Sequence, residues 1–585
     1  MDLKKPLLKM NTITRILLLL LALLPACQGP TPDLSRSTGA RVAATADTAT
    51  GILGAAATSE ANATYAATEM LERGGNAVDA AIAAGFALAV TYPAAGNIGG
   101  GGFMIYRSPH GPSWFLDFRE VAPLAAHRDM YLDDEGNPVR ADSTVGWKAV
   151  GVPGSVFGMW KAHQEWGSLP WERLLQPAIH LAQSGFHING FEAELLNKYN
   201  LKLIHDKMTA SVLAPTDRGI WKAGDLLVQP ELAATLRVIA EQGEDAFRSG
   251  PIVDSTVAAS TAGGGILSKQ DFLDYQPVMR EVLTVEWNGV ELLTATPPSS
   301  GGVFLAQTLE YLRRHPLKEW GFHDPRTVQI IGEATAAAFR ARNQWLGDPA
   351  GLGYQWQELL NPLYLNEVNY KLSPNKFTPP DRSLPEPRIE SAETTHYSVV
   401  DADGGAVSVT TTLNGAYGAK VMAPGGFLMN NEMDDFAVAP GRANQFGLVQ
   451  QEANAVHAGR RPLSSMSPVI VVKDGKVDAV LGSPGGPTIL TTVLQVLLNR
   501  YEFEYTPERS VAALRFHRQD RPATIRFESG RLGRPTIQAL QKLGQESKAR
   551  QSIGDVNAIF RDGAEWAAVA DPRREGLGAV LGPRD

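Results

Sequence analysis

The sequence predicts a mixed fold of helices and antiparallel strands, on three observations. Ala77 to Val90 is alanine-rich and apolar on every side, the pattern of a buried helix. Ile98 to Tyr106 runs from four glycines into a strand, and Trp114 to Glu120 reads as another. Thr394 to Leu413 holds two runs of alternating, β-branched residues around the turn Asp401-Ala402-Asp403-Gly404-Gly405, the pattern of a β-hairpin with one buried face. At 585 residues the chain is too long for one ordinary core, so it forms several domains or one large layered domain. A net charge of -8 and a pI near 5.8 leave no basic stripe, which argues against a nucleic-acid partner.

At the N-terminus, Lys4, Lys5, Lys9 and Arg15 precede the apolar run Ile16 to Leu24 and then Pro25-Ala26-Cys27. This is the charged region and short apolar core of an export signal, too short for a stable membrane span. Residues 1–26 are therefore expected to be removed. Cys27 is the only cysteine, so no internal disulfide can form. Leu24-Pro25-Ala26-Cys27 looks like a bacterial lipobox, which implies an acylated Cys27 and a periplasmic, membrane-anchored lipoprotein; an ordinary cleaved signal with a chance cysteine is the alternative. Residues 27–50, rich in Thr, Ala, Pro and Ser, then form a flexible tether.

Ser59 to Leu71 reads as a helix stopped at Arg73-Gly74-Gly75-Asn76. The glycines at 99–102 precede a strand rather than open a helix, so they match no nucleotide-binding pattern and point to close backbone approach near a pocket. Val156 to Arg314 reads mainly as helices, Pro230 to Gln242 among them, and Thr296-Pro297-Pro298-Ser299-Ser300-Gly301-Gly302 as a rigid turn. Leu372 to Arg388 carries Pro374, Pro379, Pro380, Pro385 and Pro387 and resists helix and strand. It is an accessible loop leading to Glu393.

The chemistry begins at Thr394-Thr395, at the mouth of a strand. A chain cut before Thr394 would give that residue both a hydroxyl nucleophile and a free α-amine, a base of pKa roughly 7.7 to 8. Spacing alone does not separate Thr394 from Thr395. None of the 11 histidines forms a His-x-x-x-His pair, and Asp401 to Gly404 lacks the rest of a calcium loop, so no metal and no cofactor is expected.

Thr394 to Asp401, Asn430 to Asp435, Pro462-Leu463-Ser464-Ser465-Met466-Ser467-Pro468 and Gly482-Ser483-Pro484-Gly485-Gly486, in this order, resemble the γ-glutamyltransferases, also called γ-glutamyltranspeptidases or glutathione hydrolases, from about Thr58 to the C-terminus. The resemblance implies an α+β fold, a four-layer αββα sandwich of the N-terminal-nucleophile hydrolase type. A large subunit, 51–393, and a small catalytic subunit, 394–585, would build it jointly after self-cleavage between Glu393 and Thr394. It implies Thr394 as nucleophile, Thr412 as the hydroxyl supporting it, and Gly485 and Gly486 as oxyanion donors. Arg119 would hold the α-carboxylate of the glutamyl group with Ser464 and Ser465, although from its own segment alone a surface ion pair with Asp117 or Glu120 is the better account of this arginine. Asn414, Glu432 and Asp435 would receive the α-amino end. Val145 to Lys148, Val150 to Ser155, Arg515-Phe516-His517 and Ala570 to Arg573 also match and are read as architecture, and Pro440 to Val456 corresponds to a lid loop with Phe446 as an aromatic gate. The implied activity is ping-pong transfer of a γ-glutamyl group from glutathione to water, amino acids or peptides. Two alternatives stand beside it: a cephalosporin (glutaryl) acylase, from which Asp435 separates the first reading, and an uncleaved binding lipoprotein.

Overall fold

The computed structural model describes residues 48–215, 219–380, 393–530 and 532–582. The export signal, Cys27, most of the tether and the end of the proline-rich loop from Asp381 lie outside the described residues.

The hairpin lies at the centre of a sheet. Thr395–Asp401 and Ala406–Thr412 pair antiparallel, with Thr395 opposite Thr411 and Val400 opposite Ala406. Asp401 shapes the turn: its Oδ1 accepts from the N–H groups of Asp403 (3.1 Å) and Gly405 (2.7 Å). Gly54–Thr58 and then Leu577–Val580 extend the sheet on one side; Gly101–Arg107, Ser113–Phe118 and Val278–Arg280 extend it on the other. A second antiparallel sheet runs in the order Thr48–Gly51, Glu565–Ala570, Asn557–Asp562, Lys476–Leu481, Val469–Lys473, Val290–Ala295, Val282–Trp287. Both sheets take strands from either side of the Glu393-Thr394 bond, so the two expected subunits are interleaved.

Alternation along the strands sets the layers. Tyr397, Val399, Val407 and Val409 pack in one apolar cluster with the helices Ala61–Glu72 and Ala77–Thr91. On the opposite face Ala55, Ala57, Phe103 and Ile105 join Leu292, Val469 and Val471 of the second sheet in a core that continues into the helices Gly301–Leu312, Pro325–Trp345 and Thr488–Tyr501. Helix, sheet, sheet, helix is the expected αββα order. Between the sheets the hairpin also buries polar groups, each with a partner. Ser398 Oγ donates to the Asn557 carbonyl (2.8 Å) and Ser408 Oγ to the Leu481 carbonyl (3.2 Å). His396 bridges Thr410 (2.8 Å) and Ser398 (3.1 Å), and burial pushes its pKa down to about 3, so it is a neutral structural imidazole.

The two N-terminal helices match their sequence reading, with Asn76 and Asp79 forming a reciprocal cap at the start of Ala77–Thr91. At the glycines 99–102 the backbone approaches closely: a Cβ on Gly102 would stand 2.6 Å from the Thr410 carbonyl, and one on Gly100 would collide with the Thr412 carbonyl. We expect Gly100→Ala to cost about 1–3 kcal/mol of stability in chemical denaturation, by overpacking against the strand that carries Thr412.

Val156 to Arg314 is mainly helical, as its sequence reads, but Val282–Trp287 and Val290–Ala295 within it are strands. Their signal is Asn288-Gly289 between alternating apolar residues; both have positive φ (44° and 78°), as a two-residue hairpin turn requires. The tether also ends earlier than expected, since Thr48, Ala49 and Thr50 pair with Val569, Ala568 and Ala567 as an edge strand. Threonine serves a strand there through its β-branch.

Candidate active site

Thr394 stands immediately before the central strand and Thr412 at the end of its neighbour, so the register alone sets the two hydroxyls side by side, 3.3 Å apart. Thr412 Oγ1 donates to the carbonyl oxygen of Glu393 (3.1 Å), the carbonyl of the bond preceding Thr394, and accepts from the Asn414 backbone N–H (2.8 Å). With that proton committed to Glu393, the Thr394 hydroxyl donates to Thr412. The result is a chain of hydrogen bonds from the Thr394 hydroxyl through Thr412 to the Glu393 carbonyl. The Thr395 hydroxyl instead donates to Ser59 Oγ (3.2 Å), on the side of Asn557 and Asp555 and outside this chain. Of the two neighbours, only Thr394 has its hydroxyl beside Thr412.

The cleft in front of Thr394 is lined by Arg119, Thr412, Asn414, Glu432, Asp435, Ser464, Ser465 and Gly486, with Phe446, Leu448, Met466, Pro487 and Ile489 as its apolar wall. Gly485 stands next to Gly486 just outside the lining. Asparagines hold the acidic wall. Asn430 donates from Nδ2 to the Gly99 (2.9 Å) and Gly151 (2.8 Å) carbonyls and accepts at Oδ1 from Gly151 N–H (2.9 Å) and Glu432 N–H (3.0 Å). Val150 to Ser155 is thus architecture that fixes the acidic turn. Asn414, at φ 76°, donates from Nδ2 to the Asn431 carbonyl (2.9 Å). Glu432–Asp435 is a short 3₁₀ turn buried throughout, not a solvated one.

Arg119 is fully buried, so the surface ion pair is excluded. Its guanidinium contacts Glu432, sits 2.6 Å from Asp435 and 3.5 Å from Glu120, and donates from Nε to the Pro462 carbonyl (3.2 Å). Asp117 instead pairs with Arg280 (2.7 Å) and Arg461 (3.4 Å). Three carboxylates around one guanidinium leave an excess of buried negative charge, and burial pushes Glu120 and Glu432 above the ordinary carboxylate range despite Arg119. The expected groups for an α-carboxylate and an α-ammonium therefore meet each other directly. A bound zwitterion would exchange these pairs, its carboxylate moving onto Arg119 and its ammonium onto Glu432 and Asp435. The free space among the lining residues is about 20 Å³, room for about one water.

On the opposite wall, Ser464 is held by its backbone: its N–H donates to the Pro298 carbonyl (2.8 Å) and its carbonyl accepts from Ser300 N–H (2.8 Å) and Oγ (2.7 Å). The turn Thr296 to Gly302 is thus the brace behind the paired serines. Gly485 and Gly486, at φ 130° and 55°, open the helix Thr488–Tyr501. Among the described residues neither N–H has a protein acceptor, and both stand at the positive end of a helix, where an oxyanion is stabilised. We expect Gly485→Ala, which forces a side chain into that left-handed backbone, to lower kcat by on the order of 10² with a smaller effect on KM.

Glu120, offered by the sequence as a surface partner of Arg119, is instead a buried third carboxylate beside it. Sequence reasoning missed three groups. Arg342 stands behind the serines, donating to Ser300 Oγ (3.0 Å), Asn343 Oδ1 (3.1 Å) and Ser465 Oγ (3.3 Å), with burial lowering its pKa to about 10. It occupies the apolar stripe Phe339, Arg342, Leu346, which was its signal. Tyr92 and Arg574, which enclose the Glu393 side chain, carry no such signal.

The sequence pattern of the gamma-glutamyltranspeptidase family matches residues 63–581. The chain is 41% identical over 525 residues to the glutathione hydrolase proenzyme of Escherichia coli, covering 89% of this chain and 90% of that one. It is 33% identical to its counterpart in Bacillus subtilis, over 89% and 90% of the two chains. Among solved structures, the gamma-glutamyltranspeptidase of Helicobacter pylori aligns with a TM-score of 0.54 at 35% identity, over 55% of this chain and 92% of that one. Cephalosporin acylase from Bacillus halodurans aligns with a TM-score of 0.80 at 22% identity, over 92% and 97%, a likeness of fold.

Proposed function

From the premise that the chain belongs to the gamma-glutamyltranspeptidase family, we propose that it is a self-processing γ-glutamyltransferase and glutathione hydrolase. The observation that carries the reading is the hydroxyl chain from Thr394 through Thr412 to the Glu393 carbonyl, opening onto a cleft with one guanidinium and three carboxylates. In maturation, Thr394 Oγ1 attacks the Glu393 carbonyl carbon; the amide becomes an ester, its nitrogen leaves as the free amine of Thr394, and water hydrolyses the ester. The large part, to Glu393, and the small part, from Thr394, stay associated because both sheets interleave them.

In turnover the amine takes the hydroxyl proton as Thr394 Oγ1 attacks the γ-carbonyl of the substrate, Gly485 and Gly486 N–H groups receive the oxyanion, and the departing amine, cysteinylglycine in the case of glutathione, takes the proton. Water, an amino acid or a peptide then accepts the γ-glutamyl group from the threonine ester. Arg119 with Ser464 and Ser465 binds the α-carboxylate, and Asn414, Glu432 and Asp435 the α-ammonium. A site built to pair a buried ammonium rejects the analogue without one, on the order of 10⁴-fold where such groups would be left unpaired. Purified protein should thus release aniline from a γ-glutamyl anilide and not from the glutaryl anilide, which lacks only the α-amine. Equal release from both, or preference for glutaryl, would replace this reading by an acylase.

We also infer export and lipid attachment at Cys27, supported by the basic and apolar N-terminal run and Leu24-Pro25-Ala26-Cys27. Among the described residues no helix is long and apolar enough to cross a membrane. Intact mass of the membrane fraction should show a diacylglyceryl-cysteine that Cys27→Ser abolishes; a soluble, unmodified chain beginning elsewhere would overturn it.

A further inference from the structure

We propose that Arg574 is a positioning residue for self-cleavage, acting through the side chain of Glu393; this rests on the maturation step proposed above. The bond to be cut is held from two directions. On one side Thr412 Oγ1 donates to the Glu393 carbonyl at 3.1 Å. On the other, the Glu393 carboxylate is not a solvated loop group: the residue is 3% exposed, and its Oε2 lies 2.9 Å from Arg574 Nη2 and 3.4 Å from the Tyr92 hydroxyl. Arg574 Nη1 donates to that same Tyr92 oxygen at 2.6 Å, and the guanidinium lies over the ring of Phe191, 4.3 Å from its centroid.

Three elements distant in sequence thus form one receptacle. Tyr92 caps the C-terminal end of Ala77–Thr91, Phe191 lies in the first turn of Gly190–Leu203, and Arg574 follows the Asp571-Pro572-Arg573 turn near the C-terminus. That turn is itself fixed, because Asp571 pairs with Arg515 (2.6 Å) and Arg573 (3.0 Å). Arg574 is therefore presented from a rigid base, stacked and doubly hydrogen-bonded. Its planar fork spans two partners, one nitrogen on the Glu393 carboxylate and the other on the Tyr92 hydroxyl that itself donates to that carboxylate.

The consequence follows from near-attack geometry. Attack by Thr394 Oγ1 on the Glu393 carbonyl carbon requires that carbonyl to present one face to the hydroxyl. With the side chain pinned by Arg574 and the oxygen pinned by Thr412, little rotation of residue 393 remains, and rotation is what a misplaced peptide would need to lose alignment. The balance of the step is unchanged: the C–O ester bond forms, the C–N bond breaks, the Thr394 hydroxyl proton goes to the leaving nitrogen, and water later cleaves the ester, returning a proton to Thr394 Oγ1 and a carboxylate to Glu393. Arg574 touches none of the reacting atoms.

The test is the rate at which newly synthesised, full-length chain converts to two fragments, followed by denaturing gel and intact mass in a pulse-labelled cell-free reaction. Arg574→Gln should slow conversion by about tenfold or more, and Arg574→Lys, which keeps charge without the fork, by less. Glu393→Ala should slow it comparably, and adding Arg574→Gln to Glu393→Ala should change it by less than about threefold, since the arginine then has nothing to hold. A merely structural arginine would slow both backgrounds equally, and that result, or wild-type conversion in Arg574→Gln, would overturn the proposal. If Arg574→Gln is insoluble, Glu393→Ala alone decides, with wild-type conversion counting against it. Thr394→Ala separates the two layers: cleavage that persists in it sinks the self-processing reading itself, whereas an inert Thr394→Ala beside an unaffected Arg574→Gln sinks only the role of Arg574.

Discussion

Thr394→Ala should leave a single uncut chain and no measurable γ-glutamyl transfer. The substitution removes the hydroxyl that attacks in both reactions, and the α-amine is never released, so nucleophile and base vanish together. Loss of one member of such a unit typically costs on the order of 10⁶ in kcat. Thr394→Ser keeps the hydroxyl at the same distance from Thr412 but gives up the β-methyl that restricts χ1, so it should cleave slowly and become active as it does. Thr412→Val tests the chain of hydroxyls from the other end. It is nearly isosteric and keeps the strand, while removing both the donor to the Glu393 carbonyl and the acceptor of the Asn414 N–H. Conversion to two fragments should fall by at least about tenfold, read by gel and intact mass. Two fragments of normal yield from Thr394→Ala would mean that the bond is cut by another agent.

Much of this was legible in the sequence, and the reasons differ by element. The hairpin announced itself because a β-branched alternation around an Asp/Gly turn has one structural solution, and Thr394 and Thr412 then follow from register. The buried helix Ala77–Thr91 was legible because, past the capping Asp79, it is apolar on every side. The Val282 to Ala295 hairpin was missed although Asn288-Gly289 marks it, since the surrounding run of helices drew it into a helical reading. The substrate residues were legible only as a family pattern: no periodicity says that Arg119, at the end of one strand, will meet Glu432 and Asp435, more than three hundred residues later. Arg342 could have been flagged as a charge in an apolar stripe. Tyr92, Phe191 and Arg574 could not, because each has an ordinary place in its own segment and only the fold brings them around Glu393.

Arg119→Gln should give the second-largest loss, and it falls on substrate recognition rather than on the nucleophile. The guanidinium has two tasks. It compensates Glu120, Glu432 and Asp435 in a buried cluster, and in the proposed reaction it is the group to which a substrate carboxylate transfers. Removing one partner of a buried charge pair costs about 2–5 kcal/mol, so kcat/KM for a γ-glutamyl anilide should drop by roughly 10² to 10³ or more. The loss should be largest for substrates that carry the α-carboxylate. For the γ-aminobutyryl anilide, which lacks it, wild type and Arg119→Gln should differ much less once both are compared above their acid limbs, whereas equal losses on both substrates there would assign the arginine to folding alone.

The pH dependence has a definite sign. Burial already holds Glu120 and Glu432 above the ordinary carboxylate range, with Arg119 opposing the shift. A carboxyl whose pKa is raised on folding stabilises the folded chain below its unfolded pKa, and that contribution is lost as pH rises through the folded value. Binding a cationic amine requires the ionised form, so kcat/KM should increase with pH across the window in which the cluster loses its proton. Without the guanidinium the opposing field is gone, both pKa values climb further, and the acid limb of the kcat/KM profile should move to higher pH in Arg119→Gln. An acid limb left in place would mean that the limb reports another group, the α-amine of Thr394 being the first to examine, and that the carboxylate cluster is already ionised throughout the working range.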